Sequence, residues 1–544
     1  NHVENDWGIW GHQLFNIVSK NPKNVYYSIV DGQLNKDQLC FGKPEMYNFL
    51  VSYVIENYGE KENSHQKFVV SPADNNLVCT CTSCSKLGNT KGNSSFSVIA
   101  LVNKLASRFP NHEFFTIDYL SVKTPPLKMM PKNTGIIISS IDIPRKVNMD
   151  SNNAFVKSFV SKVDNLHKVC NSVYVWDYIS NFDDYLTPFA TLSVCKTNFD
   201  FYKKLNINGI FANGAGYDYS TFNEVHTYVL AALMQDPTLD VNQLVNRFCK
   251  FYYGSSGQSV ANYILGLEKL MQTKRYSLDL YNGVGKMTKT YLNKKDFFDF
   301  YNEIGDLKSS NTDEINFKFS QLHTGLMYSA MQINLASGFD DSFGFARSQD
   351  NQILINDDFR KYYSDFETQF KIDDVLLTRE RNGMVMNYLK DVKKVLLDAK
   401  LQPNLLSKNV LNVTSQLDED YSDQGVLTDN TPGLPFDYHT GWMLVSASDL
   451  NAKIEGLNES GLFHIKLNFL LDEHLKFRAP EKIQVLVNDV IVKTITPSFK
   501  MSDSAQRLGL ETTVNLKSTD NITVIVVRDK TYNKFACDEI YLYK

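Results

Sequence analysis

The sequence predicts a mixed α/β protein made of a (β/α)8 TIM-like barrel, a helical domain and a C-terminal antiparallel β-sandwich. Three observations support this prediction. Strand-like apolar runs alternate with helix-period segments up to about residue 257, the helical period continues alone to about residue 402, and period-two alternation follows to the end. We therefore predict domains at 1–257, 258–402 and 403–544. A chain of 544 residues is long enough for several domains.

The first segment alternates buried strands with amphipathic helices. Apolar runs bounded by polar residues, Gly or Pro predict strands over 67–70, 114–119, 135–141, 172–178 and 207–211. Repeated strand–helix units indicate a parallel sheet with helices packed outside, and at this length a barrel is the leading closed form. Only five or six strands are recognisable where eight are needed. The barrel is therefore incomplete in this chain, or it contains strands that the pattern does not reveal.

The remaining two segments differ in the period of their apolar residues, which is helical in the second segment and two in the third. Helical spacing is kept by Val260, Ile264, Leu267 and Met271. Period-two alternation is kept by Phe463, Ile465, Leu467 and Phe469. Asn488 and Asp489 predict a tight turn into a further strand, and together these strands predict an antiparallel sandwich.

Composition narrows the classes of partner. The net charge of -5 provides no basic surface, so neither nucleic acid nor anionic membrane is predicted as a partner. No apolar run approaches the length of a transmembrane helix. The chain starts at Asn1 without Met or a signal-like segment, and we expect that a leader or a longer N-terminal portion precedes it.

Carboxylates and aromatic residues follow the ends of the predicted strands. In a (β/α) barrel these ends converge at one face, where active sites form. Paired carboxyl groups cleave glycosidic bonds and aromatic faces hold sugar rings, so the residues predict a carbohydrate site. The predicted catalytic residues are Asp74, Asp118 and Asp177, and the predicted substrate-binding residues are Trp10, His12, Tyr119, Trp176, Tyr178 and Asn213. Alternatively, such an Asp caps the following helix, and such a Trp belongs to the core.

Three of the eight cysteines are close together, as Cys79-x-Cys81-x-x-Cys84. A structural zinc site needs four ligands, and the sequence has no recognisable second half. We therefore favour a local disulfide or a packed loop, and we predict no cofactor and no metal there. A structural calcium ion in the sandwich remains open, although the sequence has no Asp-x-Asp-x-Asp loop.

Several motifs in residues 7–265 resemble a known family. They are Trp7-Gly8-Ile9-Trp10-Gly11-His12, Ser71-Pro72-x-Asp74 before the cysteines, Ile117-Asp118-Tyr119, Val175-Trp176-Asp177-Tyr178, Gly209-Ile210-Phe211 and Gln235-Asp236-Pro237. In this order they resemble the "domain of unknown function 4838" family, whose barrel is similar to that of glycoside hydrolase family 67, the α-glucuronidases. The C-terminal region, with Trp442, resembles a galactose-binding-like module. The resemblance implies an exported bacterial protein, periplasmic, cell-surface or extracellular, with outer-membrane or cell-surface partners.

The chain departs from the family at one position. Where the family has Phe-Glu-Gln-Gly, this chain has Phe211-Ala212-Asn213-Gly214. If that Glu is the family's acid or base, Ala212 removes it. We therefore carry two hypotheses. The first is a glycoside hydrolase acting on a poly- or oligosaccharide, including one with an acidic sugar. The alternative is a noncatalytic glycan-binding protein or a surface assembly component built on the same barrel.

Overall fold

The computed structural model describes residues 6–59, 65–216, 218–309, 311–350, 352–408, 411–415, 417, 423–455, 457, 459–502, 504–532 and 534–544. Helices and strands are numbered along the chain. Six strands form one parallel sheet, in the spatial order β1 (Trp7–Ile9), β4 (Lys67–Val69), β5 (Glu113–Asp118), β6 (Thr134–Ser139), β7 (Ser172–Tyr178) and β8 (Gly209–Asn213).

This sheet is curled but open. Each neighbouring pair of strands is parallel, and within the described residues the two edge strands, β1 and β8, do not pair with each other. The predicted eight-stranded barrel is therefore confirmed only as a six-stranded half-barrel. The five predicted strands are present. β1 was missed because three residues containing Trp and Gly are too short to show a period.

In the described chain, helices lie between successive parallel strands, except between β5 and β6, and two more helices follow β8. They are α1 (Gln13–Ser19), α2 (Pro44–Tyr58), α3 (Thr82–Leu87), α4 (Ser95–Arg108), α5 (Ala154–His167), α6 (Leu192–Lys204), α7 (Asn223–Gln235) and α8 (Val241–Tyr252). An antiparallel hairpin of β2 (Tyr27–Val30) and β3 (Gln33–Leu39) follows α1.

Side chains alternate between the two faces of the half-barrel. In β7, Val173 and Val175 belong to the large core that includes the helices, whereas Tyr174 and Trp176 belong to a separate aromatic cluster inside the curl. β5 behaves in the same way, because Phe114 packs toward the helices and Phe115 packs inside. This is the ordinary period of two of a β-strand, and it decides which residues can reach the end of the half-barrel.

The region from residue 257 to 402 is mainly helical. It comprises α9 (Gly257–Lys274), α10 (Val284–Thr288), α11 (Lys294–Leu307), α12 (Asp313–Ser337), a hairpin of β9 (Ala346–Gln349) and β10 (Gln352–Ile355), α13 (Asp357–Gln369) and α14 (Val385–Val392), which continues as a π-helical turn over Lys393–Leu397. One hydrophobic core runs through the half-barrel and these helices, with members from Ile9 to Phe436.

The C-terminal region forms two antiparallel sheets around a separate core. The strands are β11 (Leu411–Val413), β12 (Met443–Ser446), β13 (Leu450–Ile454), β14 (Gly461–Leu471), β15 (Lys482–Val487), β16 (Val490–Ile495), β17 (Gln506–Leu516), β18 (Ile522–Val527) and β19 (Lys534–Tyr543). One sheet has the order β11-β13-β18-β15-β16 and the other β12-β19-β14-β17. The antiparallel sandwich is confirmed. In the part of the chain that is described, no helix is both long and apolar enough to cross a bilayer.

Candidate functional site

A cleft of about 500 Å³ lies at the carboxyl ends of the half-barrel strands. Seven of the nine residues predicted from the sequence line it, namely Trp10, His12, Asp74, Tyr119, Trp176, Tyr178 and Asn213. A larger groove of about 1570 Å³ runs outside, between α5, α6, α8 and α9. Among the aromatic residues of the described chain, only Phe201 lines that groove. The cleft therefore matches the predicted sugar site better.

The loop after β4 carries Asp74 and is held by Gln38 at the end of β3. The buried Gln38 side chain accepts a hydrogen bond from the Ala73 backbone N–H (2.9 Å) and donates one to the Asn75 side chain (3.0 Å). Asn75 in turn donates to the Asp37 carbonyl (2.8 Å). Asp74 thus projects from a fixed loop, with its side chain 49% exposed at the cleft.

His12 is oriented by the same loop. Its Nδ1 lies 2.6 Å from the Pro72 carbonyl oxygen, which can only accept, so Nδ1 carries the hydrogen. This bond fixes the imidazole ring and leaves Nε2 free to act as a hydrogen-bond acceptor when the ring is neutral.

Two tryptophans stack inside the cleft. The Trp10 and Trp176 rings are nearly parallel, at 11°, with centroids 5.4 Å apart, and both pack on Phe211 at 4.6 Å. Trp10 is 7% exposed and is mainly a core residue, whereas Trp176 is half-buried. Of the two, Trp176 therefore offers the larger ring surface to a ligand.

Tyrosines form the other walls. The Tyr178 hydroxyl and the Ser139 hydroxyl share a hydrogen bond of 3.0 Å, and the Arg145 guanidinium lies 5.5 Å from the centre of the Tyr178 ring. Burial raises the pKa of Tyr119 and of Tyr178 above the usual range, so both hydroxyls stay protonated. Tyr281, 47% exposed, adds a third aromatic wall that the sequence analysis missed.

Asp118 and Asp177 do not reach the cleft. Asp118 is 8% exposed on the helix side of β5, where it pairs with Lys162 on α5 at 3.1 Å. Asp177 is fully buried and accepts hydrogen bonds from Ser140 (2.6 Å) and Asn198 (3.4 Å). The strand period places both on the opposite face from Tyr119, Trp176 and Tyr178. This burial is at odds with the prediction that Asp118 and Asp177 contact the substrate.

Ala212 also lies away from the cleft. It lines a second cavity, of about 520 Å³, at the open side of the half-barrel between β8 and α7, whereas the next residue, Asn213, lines the cleft. In this chain, the position that resembles the family's Glu therefore lines a different cavity from Asp74.

Glu380 and Arg381 complete the cleft and were missed by the sequence analysis. They lie between α13 and α14, and the backbone N–H of Glu380 donates to the Phe182 carbonyl (2.9 Å), which anchors this loop over the half-barrel. Arg381 lies 3.8 Å from the Asp74 carboxylate. Partial desolvation, helped by the charges of Asp74 and Asp183, raises the pKa of Glu380 above its usual range, although Arg381 opposes the shift.

Of the described residues, one group brings at least three metal-binding side chains together. It consists of Cys40, Cys79, Cys81 and Cys84, and all of them are free thiols. Cys40 is the fourth member, which the sequence analysis did not connect with the other three. The calcium ion considered for the sandwich stays a prediction.

The solved structures that resemble this chain include carbohydrate-active proteins. A family GH115 4-O-methyl-α-glucuronidase with specificity for decorated arabinogalactans is 9% identical, with 92% of this chain and 67% of that chain covered and a TM-score of 0.36. A GH138 enzyme targeting pectin rhamnogalacturonan II is 9% identical, with 92% and 76% covered and a TM-score of 0.31. At these scores the likeness is weak.

Another solved structure matches a smaller share of the chain. A CBM51 module from Clostridium perfringens GH95, solved with methyl-galactose, is 15% identical, with 25% of this chain and 97% of that chain covered and a TM-score of 0.16. The search of curated proteins found no match. Residues 13–265 match the model of the family described as "Domain of unknown function (DUF4838)", which confirms over that segment the resemblance seen in the sequence.

Proposed function

We propose that the cleft binds a carbohydrate and hydrolyses a glycosidic bond, with Asp74 and Glu380 as the pair of carboxyl groups. One observation carries the proposal: two carboxylates and the aromatic rings of Trp176, Tyr119 and Tyr281 line one cleft of about 500 Å³. That volume suits a small ligand, and glycoside hydrolysis needs this combination of side chains.

The two carboxyl groups have different surroundings. The pKa of Glu380 is raised by partial desolvation and by nearby negative charge, which favours the protonated form that a general acid needs. Asp74 has the Arg381 guanidinium at 3.8 Å. Different surroundings allow one carboxyl group to donate a proton while the other acts as a base or nucleophile. We therefore assign Glu380 as the acid and Asp74 as its partner.

The remaining groups would hold the sugar. Trp176 and Tyr281 offer ring faces for stacking, and Asn213 and His12 offer hydrogen bonds to hydroxyl groups. Arg381, with its side chain 73% exposed, provides a positive charge for an acidic sugar. These roles extend the sequence-based prediction of a glycan ligand.

The proposal is tested by assaying the full chain on a panel of oligo- and polysaccharides for both product release and binding. In Glu380→Gln and Asp74→Asn, release should fall by about 10²-fold or more while binding persists, because the side-chain shape is kept and the proton transfer is lost. Asp200→Asn is the matched control, since Asp200 lies on the surface of α6 and pairs with Lys204. Release that survives in both cleft variants contradicts the assignment.

The alternative, a noncatalytic glycan-binding protein, predicts a different result. The parent chain would then bind a glycan without releasing product, and Trp176→Ala would weaken that binding, whereas Glu380→Gln would leave it largely unchanged. This alternative was motivated by Ala212, which lines the second cavity rather than the cleft. Export from the cell and cell-surface partners remain predictions that the same assays do not address.

A further inference from the structure

Four cysteines from two separate segments meet next to the cleft loop. Cys40 follows β3, Cys79 and Cys81 lie in the loop between β4 and α3, and Cys84 lies within α3. Their four sulfur atoms all lie within 4.8 Å of one another. We call this group the cysteine cluster.

The spacing of the sulfur atoms matches a metal tetrahedron. A Zn–S bond of about 2.3 Å places neighbouring sulfurs of a tetrahedral site about 3.8 Å apart. The Cys40 sulfur lies 3.6 Å from that of Cys81 and 3.6 Å from that of Cys84. A disulfide needs about 2.05 Å, so Cys40 is bonded to neither of these partners, and all four cysteines are free thiols.

Burial indicates a closed site. Cys40 and Cys84 are 0% exposed and Cys79 is 3% exposed, whereas Cys81 is partly exposed. Four thiolates complete the tetrahedral coordination of Zn²⁺ and leave no position for water or substrate. Such a site stabilises the fold and does not take part in catalysis.

The surroundings support the same arrangement. The backbone N–H of Ile29 in β2 donates to the Cys79 sulfur at 3.3 Å, as is usual for the outer contacts of metal-bound thiolates. The Asn89 side chain donates to the Cys79 carbonyl at 3.1 Å. Gly42 packs directly on Cys84, because a Cβ there would lie 2.8 Å from the Cys84 sulfur and 2.9 Å from its backbone nitrogen. Only glycine at position 42 therefore allows the backbone to pack this closely against the cysteine cluster.

Packing alone accounts poorly for the cluster. A single buried cysteine behaves as a small apolar side chain, as Cys170 and Cys249 do elsewhere in the half-barrel region. Four soft ligands at one point are what thiophilic Zn²⁺ requires. From this geometry we propose that Cys40, Cys79, Cys81 and Cys84 bind one structural zinc ion.

The zinc ion would fix one wall of the cleft. It would join the β2–β3 hairpin to the loop that leads from β4 to α3. Gln38, two residues before Cys40, contacts Ala73 in that same loop, and Asp74 follows Ala73. The metal would thus hold Asp74 in place without touching substrate.

The experiment measures metal content of the full chain. Protein produced with zinc in the medium and purified under reducing conditions should contain about one zinc ion per chain by elemental analysis, as one closed site requires. Cys40→Ser and Cys81→Ser should lose most of it. Cys170→Ser should retain it, because Cys170 is a lone buried thiol that donates to the Leu166 carbonyl.

A second measurement does not depend on the variants folding. Replacing the zinc of the parent chain with Co²⁺ should produce the strong visible absorption of a tetrahedral thiolate site, and Ellman's reagent should find these four thiols protected until a chelator is added. Three results would each overturn the proposal: no metal in the purified parent chain, two disulfides by mass, or iron in place of zinc. Zinc retained in both folded cluster variants would also overturn it.

Discussion

Trp176 and Asp177 are adjacent in the sequence but face opposite sides of β7. Trp176 lines the cleft, whereas Asp177 is buried among Ser140 and Asn198 toward the helices. The sequence contained the signal that separates them, because Val173 and Val175 are apolar and share the face of Asp177. The apolar run that predicted this strand does not by itself assign its two faces, and so the prediction grouped Asp177 with its aromatic neighbours.

A stability measurement distinguishes the two kinds of aspartate. Asp177→Ala removes the buried acceptor of the Asn198 amide and leaves the Ser140 hydroxyl only its longer hydrogen bond to the Trp176 carbonyl (3.3 Å), so the free energy of unfolding should fall by about 1–3 kcal/mol. Asp74→Ala removes a side chain that is 49% exposed, and its free energy of unfolding should stay within about 0.5 kcal/mol of the parent. Urea unfolding checks both values. Equal losses in the two variants would contradict the assigned faces.

Glu380 and Cys40 could not be predicted from sequence. Glu380 lies far from the strand ends along the chain, and only the packing of the α13–α14 connection against Phe182 brings it into the cleft. Cys40 lies 39 residues before Cys79, and it joins the other three cysteines only because the β2–β3 hairpin folds over their loop. Both depend on non-local contacts, to which no local pattern corresponds.

At the scale of single elements, the sequence was most informative where a particular backbone conformation requires particular residue types. Asn488 and Asp489 predicted a tight turn, and both have left-handed backbone, with φ of 49° and 65°, between β15 and β16. Two successive positive φ angles are typical of the hairpin turn whose twist matches the strands it joins. The short β1 lacked any such local rule, and only its parallel pairing with β4 reveals it.

The turn supports a direct test. Asp489→Gly should raise the thermal midpoint of the sandwich by an amount equivalent to up to about 1 kcal/mol, because glycine adopts left-handed backbone without a Cβ clash. Asp489→Val should lower it, since a β-branched residue is strained there. Calorimetry of the two variants beside the parent measures both shifts. A higher thermal midpoint for Asp489→Val than for Asp489→Gly would show that the turn has another conformation.

At the scale of the whole molecule, several carboxyl groups are buried with little compensating charge. Burial raises the pKa of Asp184 to about 7 and that of Asp391 and Asp429 to about 6. An aspartate in the unfolded chain titrates near 4, so the folded protein holds more protons between about pH 4 and 7. Stability from these groups is therefore present at low pH and is lost as the pH rises through their folded pKa values.

The parent chain should accordingly unfold at a higher urea concentration at pH 5 than at pH 8. Asp184→Asn should reduce this difference, because the amide oxygen can still accept from the backbone N–H groups of Leu186 and Thr187 but no longer titrates. Titration of Asp183 does not contribute to this difference between pH 5 and pH 8. Its burial is outweighed by hydrogen bonds from His439 and Tyr438, which lower its pKa below the range of the measurement. An unchanged pH difference in the variant would contradict the role of Asp184.

The single core that runs from Ile9 to Phe436 has a consequence for how the molecule can be divided. The change of period near residue 257 is a change of secondary structure, but buried side chains pass continuously across it. The half-barrel and the helices α9–α14 thus form one cooperative unit, and the sandwich, with its own core, forms a second. A fragment that ends at residue 257 would expose the apolar face that those helices cover. Cleavage near residue 403 instead separates the two cores, although it leaves residues 434–436 of the first on the C-terminal piece.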